Sequence, residues 1–158
     1  KDGRTLRAEY SGAYEKESVK LNRFIYDYEG ESPYEGNHEI VKLMAEDKGG
    51  VLKLYFSPSE GYSISEANST HMPILTIPSS VINAGKKTFM ELTDWEFAYD
   101  LMQSWPFVDE YKPHPADTDW IEIIRDGNNI YEIEFVLTSK GTGTQTSTID
   151  VYYKGEAK

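Results

Sequence analysis

The sequence contains no cysteine among its 158 residues, which excludes disulfides, thiolate metal sites and cysteine nucleophiles. Its three histidines, His38, His71 and His114, lie far apart, so no histidine pair has the spacing of a metal site. No apolar run approaches the roughly 20 residues that a membrane-spanning helix needs. We therefore predict no metal, no cofactor and no transmembrane segment.

Basic residues are scarce as well, since 16 Lys and Arg stand against 27 Asp and Glu, for a formal net charge of -11. This sign of charge repels a phosphate backbone, so we expect no nucleic-acid partner. A hydrophobic content of 39%, with 13% aromatic residues, is enough for one core. The length fits one unit, and we predict a single β-rich domain over residues 1–158.

The clearest structural signal lies between Trp120 and Gly155. Residues 119–125 and 130–137 both alternate between apolar and polar side chains, and Asp126-Gly127-Asn128-Asn129 has the composition of the turn that joins them. A third alternating stretch, residues 146–153, follows a polar connection. These patterns predict a three-stranded antiparallel meander.

One short helix is predicted over about residues 94–104. Thr93 and Glu96 have the spacing of a capping box, and Trp95, Tyr99 and Met102 recur at helical intervals. The remaining apolar stretches are short and bounded by Gly, Pro, Ser and Asn. The chain is therefore predicted to be mainly β, an antiparallel β-sandwich or barrel of about seven to ten strands with this one helix.

Large aromatic residues bracket the predicted helix and the proline-containing stretch after it, namely Trp95, Trp105, Tyr111 and Trp120. Flat rings stack on the C–H faces of sugars, while neighbouring carboxylates accept hydrogen bonds from sugar hydroxyls. These four residues are the candidate ligand-binding set, for a glycan or another polar small molecule. Core packing is the alternative role for such rings.

Acidic residues offer a second candidate site. Glu122, Glu132 and Glu134 fall on two strands predicted to pair, and a carboxylate pair of this kind could serve a glycoside hydrolase. The plainer interpretation is the solvated face of a half-buried sheet, and no catalytic residue is assigned. Asp117 and Asp119 supply two acids of a calcium loop but lead into Trp120, so no calcium site is predicted.

The chain resembles the small β-rich envelope lipoproteins of unknown function that are common in Bacteroides-type bacteria. The residues that carry the resemblance are Ile77-Pro78-Ser79-Ser80-Val81, Gly85-Lys86-Lys87, Leu92, Tyr131-Glu132-Ile133 and Tyr153-Lys154-Gly155. The resemblance implies export, a lipid anchor upstream of Lys1 and an all-β fold, and it carries over no catalytic residue. We therefore expect an exported, non-catalytic binding or interaction module in the periplasm or at the outer surface.

A carrier of an apolar small molecule is a further alternative. Gly12-Ala13-Tyr14 is distantly similar to the Gly-x-Trp of the first lipocalin strand, although Tyr14 stands where that family has tryptophan. That resemblance implies a barrel with an internal cavity.

Overall fold

The structure, a computed structural model, describes residues 20–28, 36–69, 72–99, 115–140 and 146–158. Within these residues ten β-strands form two antiparallel sheets, and the helical segments are short 3-10 turns. The mainly β prediction is confirmed. The strands are β1 Arg23–Tyr28, β2 Gly36–Glu39, β3 Lys42–Lys48, β4 Val51–Ser57, β5 Ile74–Pro78, β6 Lys87–Thr88, β7 Glu96–Ala98, β8 Trp120–Arg125, β9 Ile130–Lys140 and β10 Thr146–Glu156.

The first sheet has the strand order β2-β1-β10-β9-β8-β6, and the second has the order β3-β4-β5-β7. The meander predicted from Trp120 onward is confirmed as β8, β9 and β10. Phe135 of the middle strand, β9, lies opposite Ile121 of β8 on one side and opposite Val151 of β10 on the other. Its two long strands, β9 and β10, have 11 residues each and occupy the centre of the first sheet.

The chain passes from one sheet to the other between β2 and β3. Ile40 N–H donates at 3.2 Å to the carbonyl of Asn22, which directly precedes β1 of the first sheet, and Val41 N–H donates at 2.9 Å to the Ser57 carbonyl of the second sheet. Two adjacent residues therefore use their backbone groups on different sheets, and the sheets stay close at this corner. Such corners are typical of a β-sandwich.

The core lies between the two sheets. Leu43, Leu54 and Phe56 face it from the second sheet, and Ile133 and Phe135 face it from the first, all of them almost fully buried. The rings of Phe56 and Phe135 lie with centroids 6.0 Å apart, so side chains from both layers meet directly. Burial of each such side chain stabilises the fold by about 1.5–3 kcal/mol.

A second, smaller cluster covers the outer side of the second sheet. Met44 and Tyr55 pack there against Ala67 and Met72, which belong to the connection between β4 and β5. Buried Lys42 holds the same connection, because its ammonium donates to the carbonyls of Glu60 and Tyr62. The connection between β4 and β5 is thus packed onto this sheet and covers part of its outer side.

The helix predicted over about residues 94–104 is wrong where the structure describes it, since Glu96–Ala98 is strand β7 and residues 100–104 lie outside the described residues. Phe97 is buried and pairs with Leu75, a contact distant in sequence. Asp94 has a φ of 59°, which a right-handed helix does not allow. The Thr-x-x-Glu capping box forms instead at Thr88 and Glu91, around the 3-10 turn Phe89–Glu91.

No helix in the described ranges is long and apolar enough to cross a bilayer.

Candidate functional site

The side of the first sheet that points away from the core is the candidate site. Strand alternation buries Ile121, Ile123 and Phe135 and turns the residues between them outward. We call this surface the outer face. Its central residues are Trp120, Glu122 and Ile124 of β8, Glu132, Glu134 and Val136 of β9, and Asp150, Tyr152 and Lys154 of β10.

Trp120 lies at the start of β8, half-buried, with one face of its ring covered by a lysine. The Lys86 ammonium nitrogen is 3.3 Å from the ring centroid, well within the distance at which a cation is attracted to an indole. Trp120 pairs with Thr88 of β6 on one side and with Val136 of β9 on the other. The ring therefore stands on a backbone that is hydrogen-bonded on both sides.

Asp119 fixes the strand immediately before Trp120. Its buried carboxylate accepts hydrogen bonds from Ala116 N–H at 2.8 Å, from Thr138 N–H at 2.5 Å and from the Thr138 hydroxyl at 2.9 Å. Its own carbonyl accepts from Phe89 N–H at 3.3 Å. These donors occupy the carboxylate, so Asp119 serves to position the strand that carries the tryptophan.

The three glutamates considered for a carboxylate site share the outer face, as their spacing predicted. Glu134 accepts two hydrogen bonds from the Lys20 ammonium, at 2.6 and 2.7 Å. Glu132 accepts from the Lys154 ammonium at 2.8 Å and from the Tyr152 hydroxyl at 3.0 Å. The bond from Lys154 is the main cause that lowers the pKa of Glu132 below its ordinary value.

Glu122 differs from its neighbours. It lies directly opposite Glu134 in the β8–β9 register, a position where two like charges disfavour each other. Within the described part of the chain it makes neither a hydrogen bond nor an ion pair. The outer face thus carries one half-buried carboxylate without a partner, two positions along β8 from the Trp120 ring.

The candidate aromatic residues do not all lie on this surface. Trp95 is partly buried and packs against the core, with its ring 4.7 Å from that of Phe89. Trp105 and Tyr111 lie outside the described residues. Of the four predicted residues, Trp120 is therefore the one that the structure places on the outer face.

Two lysines of the site were missed by sequence reasoning, Lys20 and Lys86. Lys20 is 114 positions from its partner Glu134, and no local pattern predicts such a contact. Tyr152 lies between Val151 and Tyr153 in the alternating stretch 146–153, and this alternation is the sequence signal for its outward side. No group of three or more potential metal ligands occurs among the residues that could be described.

Comparison with protein-family models, with curated proteins and with solved structures found no match for this chain.

Proposed function

We propose that the chain is a non-catalytic glycan-binding module of the bacterial cell envelope, and that it binds its ligand on the outer face around Trp120. The observation that carries the proposal is a tryptophan ring on an antiparallel sheet whose same face carries carboxylate and ammonium groups farther along the strands. The open face of a sheet suits an extended oligosaccharide, because sugar rings can lie along the strands while their hydroxyls reach polar side chains on either side.

The polar groups farther along the outer face match the needs of a sugar ligand that extends from Trp120 along the strands. Carboxylates accept hydrogen bonds from hydroxyl groups, while ammonium and phenol groups donate to ring and hydroxyl oxygens. Glu132, Tyr152 and Lys154 already form one connected set, in which each side chain holds the next in place. A ligand would meet groups that are ordered before it binds, which lowers the entropy lost on association.

A hydrolase is less well supported. A glycoside hydrolase needs one carboxylic acid whose pKa is raised, so that it can protonate the leaving group. The pKa of Glu132 is lowered instead, and the carboxylate of Glu134 is held by Lys20. These two residues are therefore set up as hydrogen-bond acceptors rather than as the general acid.

An apolar carrier is also less well supported. A carrier needs a cavity inside the barrel or sandwich, but the contact between Phe56 and Phe135 fills the space between the sheets at its centre. Each of these rings is almost completely buried. A ligand of the size of a lipid would have to displace both.

The proposed location rests on the resemblance to envelope lipoproteins and is tested separately. Cells that produce the full-length protein are fractionated, and the chain is detected with an antibody. Recovery with the envelope fraction is expected, and recovery in the cytoplasm contradicts this part of the proposal.

The binding proposal is tested with an array of bacterial and plant oligosaccharides, followed by calorimetry on the glycans that bind. We expect Trp120→Ala to weaken binding about tenfold or more, because it removes the stacking ring. Val51→Ala is the control, since Val51 is an apolar residue of the second sheet, away from the outer face, and is 44% exposed. The control should bind as the wild type does. Equal binding by Trp120→Ala, or an array without any bound glycan, contradicts the proposal.

A further inference from the structure

The Lys86 ammonium on the Trp120 ring bears on the chemistry of the ligand, an inference that rests on the proposed function. The contact of 3.3 Å shows that this ring face accepts a cation. A sugar that stacks on the same face must displace the lysine. A neutral sugar then replaces a cation–π contact with an uncharged one, whereas a sugar that carries an ammonium group restores it.

Glu122 also favours a sugar that carries an ammonium group over a neutral sugar. Successive residues that face the same way on a strand are about 6.6 Å apart, so the carboxylate is within reach of a group bound over Trp120. The charge of the facing residue, Glu134, is already paired with Lys20. Glu122 is therefore left to pair with a cation that arrives with the ligand.

We propose that the outer face selects amino sugars with a free, protonated amine over their N-acetylated or neutral counterparts. The ammonium group of the ligand takes the place of Lys86 at Trp120 and pairs with the Glu122 carboxylate. An N-acetyl group has no charge, so it gains neither interaction and still has to displace the lysine. The selectivity thus comes from a competing internal cation together with an unpaired acid.

The experiment compares oligomers of glucosamine with oligomers of N-acetylglucosamine of the same length, by calorimetry at neutral pH and low salt. The wild type should bind the glucosamine oligomer about three- to tenfold more tightly, the ratio expected of an exposed cation–π contact and a partly exposed ion pair. Glu122→Gln should reduce the preference about threefold by weakening only the glucosamine complex. Glu96→Gln, which removes the same charge from the second sheet, should leave the preference unchanged.

Lys86→Ala provides an independent arm. Removing the competing ammonium should strengthen binding of the N-acetylated oligomer by about three- to fivefold. Equal binding of both oligomers by the wild type, or an undiminished preference in Glu122→Gln, overturns the inference while the proposed function stands. Binding of other glycans but of neither oligomer also overturns the inference alone, whereas loss of all glycan binding overturns both.

Discussion

Asp47 of β3 and Arg125 of β8 form an ion pair that joins the two sheets, with the Arg125 guanidinium donating to the Asp47 carboxylate at 2.8 Å. The Ser79 hydroxyl donates to the other carboxylate oxygen at 2.6 Å, and the guanidinium also donates to the Tyr131 hydroxyl at 3.0 Å. The hydrogen bond from Ser79 and then that from Arg125 lower the pKa of Asp47. One acid therefore links three elements at one end of the sandwich.

Asp47→Asn should lower the free energy of unfolding at neutral pH by about 0.5–1 kcal/mol, a small effect because both partners are about a third exposed. A lowered pKa in the folded state gives stability that is present above the unfolded value of about 3.9 and is lost as the pH falls through the folded value. The difference between the two proteins should therefore shrink in acid. Urea unfolding at neutral and acidic pH measures this difference in unfolding free energy. Asp117→Asn, at an exposed position, is the control. A difference that is the same at both pH values contradicts this role of Asp47.

Gly155 of β10 lies under the ring of Tyr153, and an added Cβ would be 2.8 Å from the Tyr153 hydroxyl oxygen and 3.1 Å from its Cζ. The ring is buried, and its hydroxyl donates to the Glu156 carbonyl at 3.0 Å, so it cannot move aside freely. Gly155→Ala should cost about 1–3 kcal/mol of unfolding free energy. Gly127→Ala is the matched control, because open space surrounds Gly127. Equal stability of the two variants would show that the Tyr153 ring does not occupy this position.

The Tyr55 phenol donates a hydrogen bond to Glu46 at 2.8 Å, and burial, together with this bond, raises the pKa of Tyr55 to about 12. A raised folded-state pKa gives stability that is complete below the unfolded value of about 10 and is lost as the pH rises through the folded value. Tyr55→Phe should therefore reduce the fall in unfolding free energy between about pH 10 and pH 12.

The same pair can be tested by titration. Glu46→Gln removes the negative charge beside the phenol, so the pKa of Tyr55 should fall, and the ultraviolet absorbance of the phenolate should appear at lower pH than in the wild type. An alkaline titration that is identical in both proteins would contradict the contact between Tyr55 and Glu46.

The sequence predicts structure best where the information is local. Between Trp120 and Gly155, the alternation of two strands and the Asp126–Asn129 turn agree, and the meander forms as expected. The helix over residues 94–104 failed because the spacing of Trp95 and Tyr99 fits a helix, while Phe97 is committed to a strand by pairing with the distant Leu75.

In the candidate site, too, the sequence predicts what depends on local pattern and misses what depends on contacts distant in sequence. The period of two placed Glu122, Glu132 and Glu134 on one face, because side-chain direction in a strand is a local property. The contact between Lys86 and Trp120 depends on the pairing of β6 with β8, and the sequence between these strands carries no signal for it. Tertiary contacts thus decide which of the predicted aromatic residues can meet a ligand.

The central claim is that a glycan binds over Trp120 on the outer face of the first sheet. The most direct test is a titration of isotopically labelled protein with a bound oligosaccharide from the array, followed by heteronuclear NMR of the backbone and of the indole N–H groups. The account predicts that the signals of Trp120, Glu122 and their outward neighbours shift with ligand, while the indole signal of Trp95 and the buried Phe135 do not. Shifts confined to the second sheet, with the Trp120 indole unchanged, would contradict it.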